Sequence, residues 1–174
     1  MDSENENGEN KLDDVLGHGL KVVFCGTAAG TVSAERGQYY AGPGNKFWKT
    51  LHSIGLTERE LDPAEFRTLL AKGIGFTDVV KDKSGMDKVI KAADFESGRG
   101  RLRREMEKYQ PRFLCFNGKR AAKGFFDVKR VEYGLQEMRI GETRVFVAPS
   151  TSAAAGRWWD IGYWKELAKL VNET

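Results

Sequence analysis

The sequence predicts an α/β fold, a three-layer α/β/α sandwich around a mostly parallel central sheet of four to five strands. Two patterns carry that expectation. Short continuous apolar runs, each closed by glycine or a polar turn, have the signature of strands buried on both faces. Between them lie segments with the 3.6-residue apolar spacing of amphipathic helices.

The elements follow in order. The first eleven residues, MDSENENGENK, offer no apolar anchor before Leu12 and read as a flexible acidic tail preceding one domain over 12–174. Leu20–Cys25 (LKVVFC) is a buried strand ended by Gly26, and a glycine-rich loop runs on to Gly44. Phe47, Trp48, Leu51 and Ile54 mark a helix that Gly55 stops. Asp62-Pro63 opens a second helix to about Lys72, and GFTDVV (75–80) is a second strand. Residues 81–98 read as irregular, and 99–110 as a charged helix halted by Pro111. Its cations Arg99, Arg101, Arg103, Arg104 and Lys108 are expected on a solvated face paired with Glu105 and Glu107. Phe113–Phe116 is a third strand, with a short helix after Gly118-Lys119. Residues 138–140 and 143–147, joined by Gly141-Glu142, read as a hairpin. A small-residue loop, 149–156, then leads to a last helix bearing Trp164, Leu167, Leu170 and Val171.

Composition bounds the function. Of 174 residues, 40% are hydrophobic and 30% charged, the balance of a globular domain of ordinary size. The net charge of +3 permits a nucleic-acid partner without requiring one. No apolar run reaches membrane-spanning length and no charged-then-apolar leader opens the chain, so no membrane partner is expected. Cys25 and Cys115 sit in strand-like runs and read as buried reduced thiols, which fits a cytoplasmic protein of the bacterial cytosol or nucleoid. With His18 and His52 the only histidines, no metal site is expected.

In a parallel sheet, ligands bind beyond the carboxyl ends of the strands. The loops after Cys25, around Asp78 and after Val147 should therefore carry the chemistry. The first, Gly26-Thr27-Ala28-Ala29-Gly30, suits phosphate in general terms but lacks both the G-x-G-x-x-G and the G-K-[ST] spacing.

The longer stretch VVFCGTAAGTVSAERGQYYAGPGNKFW resembles the first motif of the mismatch-specific uracil and thymine DNA glycosylases, a branch of the uracil-DNA glycosylase superfamily. Gly26, Gly30, Ser33, Ala34, Tyr40, Pro43, Asn45, Lys46, Phe47 and Trp48 carry the match to a G-I-N-P-G loop, a Ser-Ala pair, an aromatic and P-x-N-[RK]-F-W. Phe116-Asn117-Gly118-Lys119 resembles the family's third-strand segment, and Pro149–Ala153 (PSTSA) its second motif. The resemblance spans about 16–170. It implies a uracil-DNA glycosylase-like sandwich that flips a damaged base from DNA and hydrolyses its N-glycosidic bond as a monofunctional, monomeric enzyme without cofactors.

The resemblance also implies roles. Main-chain N–H groups of Thr27 and Tyr40, with Gly26 and Ala28 beside them, would meet the base; the Tyr40 ring would stack on it or else be a core aromatic. Asn45 is a helix cap or loop brace, and Phe47 and Trp48 are core. Two family helpers are missing: the water-activating asparagine falls at Ala28, and the second-motif histidine at Ser150. Glycosidic cleavage builds positive charge on the sugar, so a carboxylate must be sought elsewhere. Asp78, closing the second strand among apolar neighbours, is the candidate, against a turn or N-cap role; some superfamily branches lacking the asparagine similarly use an aspartate from elsewhere. Ser33, Glu35, Asp82 and Asp160 are weaker candidates. Ser150, Thr151, Ser152, Ala154, Arg157 and Lys119 are expected to face DNA, with Arg157 filling the emptied stack, and Trp158 and Trp159 are exposed stackers or core. Uracil is the expected base. Hypoxanthine or thymine opposite guanine, or lesion binding without catalysis, are the alternatives.

Overall fold

The computed structural model describes residues 10–85 and 89–173. Residues 1–9 of the expected acidic tail lie outside them; Lys11, its last residue, donates its N–H to the Lys81 carbonyl at 2.7 Å. Five strands form one sheet: β1 (Val22–Gly26), β2 (Ile74–Asp78), β3 (Phe113–Asn117), β4 (Gly134–Ile140) and β5 (Thr143–Ala148), in the order β2-β1-β3-β5-β4. β2, β1, β3 and β5 are parallel, and β4 runs antiparallel on the far edge as the hairpin partner of β5. The predicted α/β sandwich is thus the observed one.

Strand alternation builds two cores. Phe24 of β1, Phe76 of β2 and Phe113 and Cys115 of β3 point to one face, where α2 (Phe47–Ser53) and α5 (Ile161–Asn172) cover them with Phe47, Leu51, Trp164 and Leu167. Val23, Cys25, Leu114 and Phe116 point to the other, under α3 (Ala92–Tyr109) and α4 (Lys119–Phe126). Cys25 and Cys115 are free, fully buried thiols on opposite faces, a placement that prevents a bridge between them. The open edge of β2 is capped by the N-terminal segment, where Val15 and Phe76 exchange backbone hydrogen bonds of 2.8 and 2.9 Å. Among the described residues, no helix is long and apolar enough to cross a membrane.

Three segments differ from expectation. The glycine-rich loop contains a short helix, α1 (Thr31–Arg36), which Gly37 ends at φ 65°. The segment after Asp62 is a 3-10 helix over Pro63–Lys72; Asp62 is its N-cap as the sequence suggested, and Glu65 completes a capping box. Most consequentially, α3 starts at Ala92 and not at Arg99, with Asp94 accepting the Lys91 N–H at 2.8 Å. Gly98, inside α3, must be glycine because a Cβ there would lie 2.1 Å from the Val79 carbonyl oxygen. The last residue of the stretch read as irregular is thus where α3 touches the end of β2.

Candidate active site at the carboxyl ends of the strands

β1 ends at Gly26, β2 at Asp78, β3 at Asn117 and β5 at Ala148, so the connections that leave them share one side of the sheet. Gly26 and Asp78 are register partners. A Cβ on Gly26 would stand 2.7 Å from Asp78 Oδ1, so glycine is what lets the carboxylate lie against β1. The loops are then laced together: Val79 N–H donates to Gly26 O at 2.9 Å, Val80 N–H to Thr27 O at 2.8 Å, and Gly85 N–H to Ala29 O at 2.9 Å.

Asp78 is buried, 3% exposed, and its pKa is raised from 3.8 to about 7. Desolvation is the main cause; the Asp14 charge adds to it, while Lys81, Arg101 and the Gly26 N–H oppose it. These charges form a compact network that local sequence does not disclose. Lys81 Nζ is 2.9 Å from Asp14 Oδ1 and 4.0 Å from Asp78 Oδ2. Arg101 joins Asp14 Oδ2 at 2.8 Å and gives its other nitrogen to the Asp78 main-chain oxygen at 2.6 Å. Arg101 therefore does not belong to a solvated helix face. Arg99 also turns inward, donating to Gly124 O at 2.6 Å. The i,i+3 spacing of Asp78 and Lys81 was the one available signal. Asp14 and Arg101 arrive from segments far away in sequence.

Tyr40 adopts φ 54° and stacks on Phe47 with ring centroids 4.2 Å apart. One ring face is used by the core, and the side chain as a whole is half-buried. Its hydroxyl is buried near Gly26 and the Asn117 side chain, and burial pushes its pKa well up, so it remains a phenol. Ser33 Oγ accepts the Ala41 N–H at 3.0 Å and so anchors the turn carrying Tyr40. Asn45 Oδ1 accepts the Phe47 N–H at 3.0 Å, the bracing role. Thr27 is buried, Ala28 half-buried, and Glu35 exposed on α1, apart from the charge network.

The second loop hangs from β3 through Asn117, whose Nδ2 donates to Thr151 Oγ1 and whose Oδ1 accepts the Thr151 N–H, each at 2.9 Å. Thr151 O accepts the Lys46 N–H at 2.9 Å, which ties this loop to the first. Thr151 is 1% exposed, so its polar groups serve the protein's interior. Ser152 caps a 3-10 helix, Ala153–Trp158. Ala153, Ala154, Arg157 and Trp158 are exposed, with the Arg157 guanidinium 4.7 Å from the Trp158 ring centre. Trp158 is thus a surface side chain, whereas Trp159 packs beside Trp164. Ser150 is half-buried against Gly118, and Lys119 Nζ lies 4.3 Å from the Tyr133 ring centre. Asp160 caps α5 and Asp82 is exposed.

A cleft of about 400 Å³ runs outside the Tyr40 turn, past Asn45, Trp48 and Asp62. A smaller one, about 200 Å³, reaches Lys81 and Arg101 beside α3. Asp78 lines neither. No group of His, Cys, Asp and Glu among the described residues is arranged to hold a metal ion.

Comparison with known proteins adds two findings. The profile of the uracil DNA glycosylase superfamily matches residues 14–168. Among solved structures, the fold is similar to the solution NMR structure of a protein from Methanosarcina acetivorans named a putative uracil DNA glycosylase, with a TM-score of 0.56. The two are 19% identical, and the match covers 93% of this chain and 95% of the other.

Proposed function

The chain belongs to the uracil DNA glycosylase superfamily, and from that premise we propose that it excises uracil from DNA by hydrolysing the N-glycosidic bond, with Asp78 as the catalytic carboxylate. The observation that carries this reading is the placement of Asp78. It is a buried acid at the end of β2, against Gly26 and beside a loop whose asparagine position is Ala28. A methyl group can neither orient nor polarise water; a carboxylate there can do both.

The chemistry follows from charge. As the C1′–N bond breaks, the sugar becomes cationic and the base leaves with the bonding electron pair. Ionised Asp78 stabilises the cation and takes a proton from the water whose oxygen bonds to C1′. Main-chain N–H groups of Thr27 and Tyr40 receive the base's carbonyl oxygens, where negative charge develops, and the Tyr40 ring stacks on the base. Ser150, Ser152, Ala154, Arg157 and Lys119 meet the DNA backbone and the emptied stack. Thr151 holds this loop from within.

The test uses purified protein and labelled duplexes carrying uracil, thymine opposite guanine, or hypoxanthine, with alkaline cleavage of abasic sites. Uracil is the expected substrate, and Asp78→Asn should lower excision at least ~100-fold while DNA affinity stays near wild type. Preference for another base would revise the substrate. Binding without release would remove the activity, and full activity of Asp78→Asn would remove the residue assignment.

A further inference from the structure

Two cations, Lys81 and Arg101, stand near Asp78, yet neither forms a close ion pair with its carboxylate. Lys81 Nζ is 4.0 Å from it and 2.9 Å from Asp14. Arg101 approaches Asp14 at 2.8 Å and reaches Asp78 only through the main-chain oxygen. Asp14 also accepts the Thr77 hydroxyl at 2.6 Å, so three donors converge on one carboxylate. The N-terminal segment delivers that carboxylate: Val15 is bridged to Phe76, and the Asp13 carbonyl accepts the Tyr39 hydroxyl at 2.8 Å. Tyr39 in turn accepts from Lys81 at 3.2 Å, which gives the ammonium a second partner besides Asp14.

We propose that Asp14 is a positioning residue for Asp78, drawing Lys81 and Arg101 onto itself so that the catalytic carboxylate keeps its charge available for water and sugar. A carboxylate gripped by an ammonium at contact distance is a poor base, because the cation stabilises the ionised form it must give up. A carboxylate with no cation nearby would stay protonated in so dry a place. The 4.0 Å spacing lies between these limits, and Asp14 sets it. The ionisable groups around Asp78 are Asp14 from the N-terminal segment, Cys25 from β1, Tyr39 and Tyr40 from the first loop, Lys81 from the turn after β2, and Arg101 from α3. Burial holds both tyrosines and the thiol neutral, so the balance is struck by Asp14, Lys81 and Arg101.

This inference rests on the assignment of Asp78, and its test separates the two. The Asp78 carboxyl is titrated by 13C NMR in the wild type and in Asp14→Asn, Asp14→Glu and Lys81→Gln, and excision is measured from pH 5 to 9 in parallel. Asp14→Asn removes a like charge and frees Lys81, so Asp78 should titrate about one unit lower. The acid limb of excision should move with it, and the plateau rate should fall. Lys81→Gln should move both upward, and Asp14→Glu should restore the wild-type profile. Should Asp14→Asn not fold, Lys81→Gln carries the comparison. An Asp78 titration unmoved in the folded variants overturns the positioning role even if Asp78→Asn is inactive. A titration that moves while the excision profile stays fixed leaves the coupling intact and overturns the assignment of Asp78.

Discussion

Burial is the dominant force on Asp78, and it acts on catalysis and stability with opposite signs. With a pKa raised from 3.8 to about 7, the carboxylate becomes the populated form only as pH passes neutrality. If Asp78 is the base, kcat/KM for uracil excision should rise with pH, with its acid limb near 7; a limb near 4 would contradict this environment. For stability, the folded protein retains a proton that the unfolded chain releases between pH 3.8 and about 7, so this group's contribution falls as pH climbs through that window. At ~1.4 kcal/mol per unit, its upper bound is ~4 kcal/mol. Asp78→Asn should therefore unfold at a higher temperature relative to wild type at pH 8 than at pH 5, as read by thermal melts. Asp78 itself was legible in the sequence, since it closes a strand whose neighbours are apolar. Its regulators were not: Asp14 and Arg101 lie 87 positions apart and meet only in the fold.

At the scale of elements, the site depends on how loops are hung from the sheet. α3 sits on the end of β2 because Gly98 has no Cβ to strike the Val79 carbonyl. Gly98→Ala should cost at least ~2 kcal/mol in urea unfolding and, by moving Arg101, also disturb Asp78. The first turns of this helix, Ala92–Gly98, were not legible locally: propensity counts glycine against a helix, while close packing can require it. The second loop depends on two hydrogen bonds between Asn117 and Thr151. Thr151→Val keeps the shape but leaves Asn117 Nδ2 buried without its acceptor. It should destabilise the protein by ~1–3 kcal/mol and weaken DNA binding by loosening the loop, measured by unfolding and by fluorescence anisotropy. Thr151 read as a DNA-facing hydroxyl because its neighbours Ser150 and Ser152 are polar and the stretch is loop-like. Its inward direction is fixed by the end of β3, which local sequence does not encode.

Across the whole molecule, a net charge of +3 is too small to drive DNA binding by itself, so placement matters. Arg157 and Trp158 are exposed on the 3-10 helix that follows the second loop, beyond the carboxyl ends of the strands. Arg157→Ala should lower affinity for uracil-containing and undamaged duplexes alike, and reduce the slope of log K against log salt by about one if it meets a phosphate. An unchanged slope with a loss confined to damaged DNA would place it in the stack instead. The sequence alone determined the layered α/β architecture, the three central strands and the loops that meet at their carboxyl ends. Those features follow from periodic burial and turn residues, which act over a few positions. It also singled out Asp78, because a lone acid closing an apolar strand is conspicuous in one dimension. Only the tertiary structure decided how that acid is tuned. Asp14, Lys81 and Arg101 interact through space, and the charges that matter to a buried carboxylate are those brought near it by the packing of distant segments.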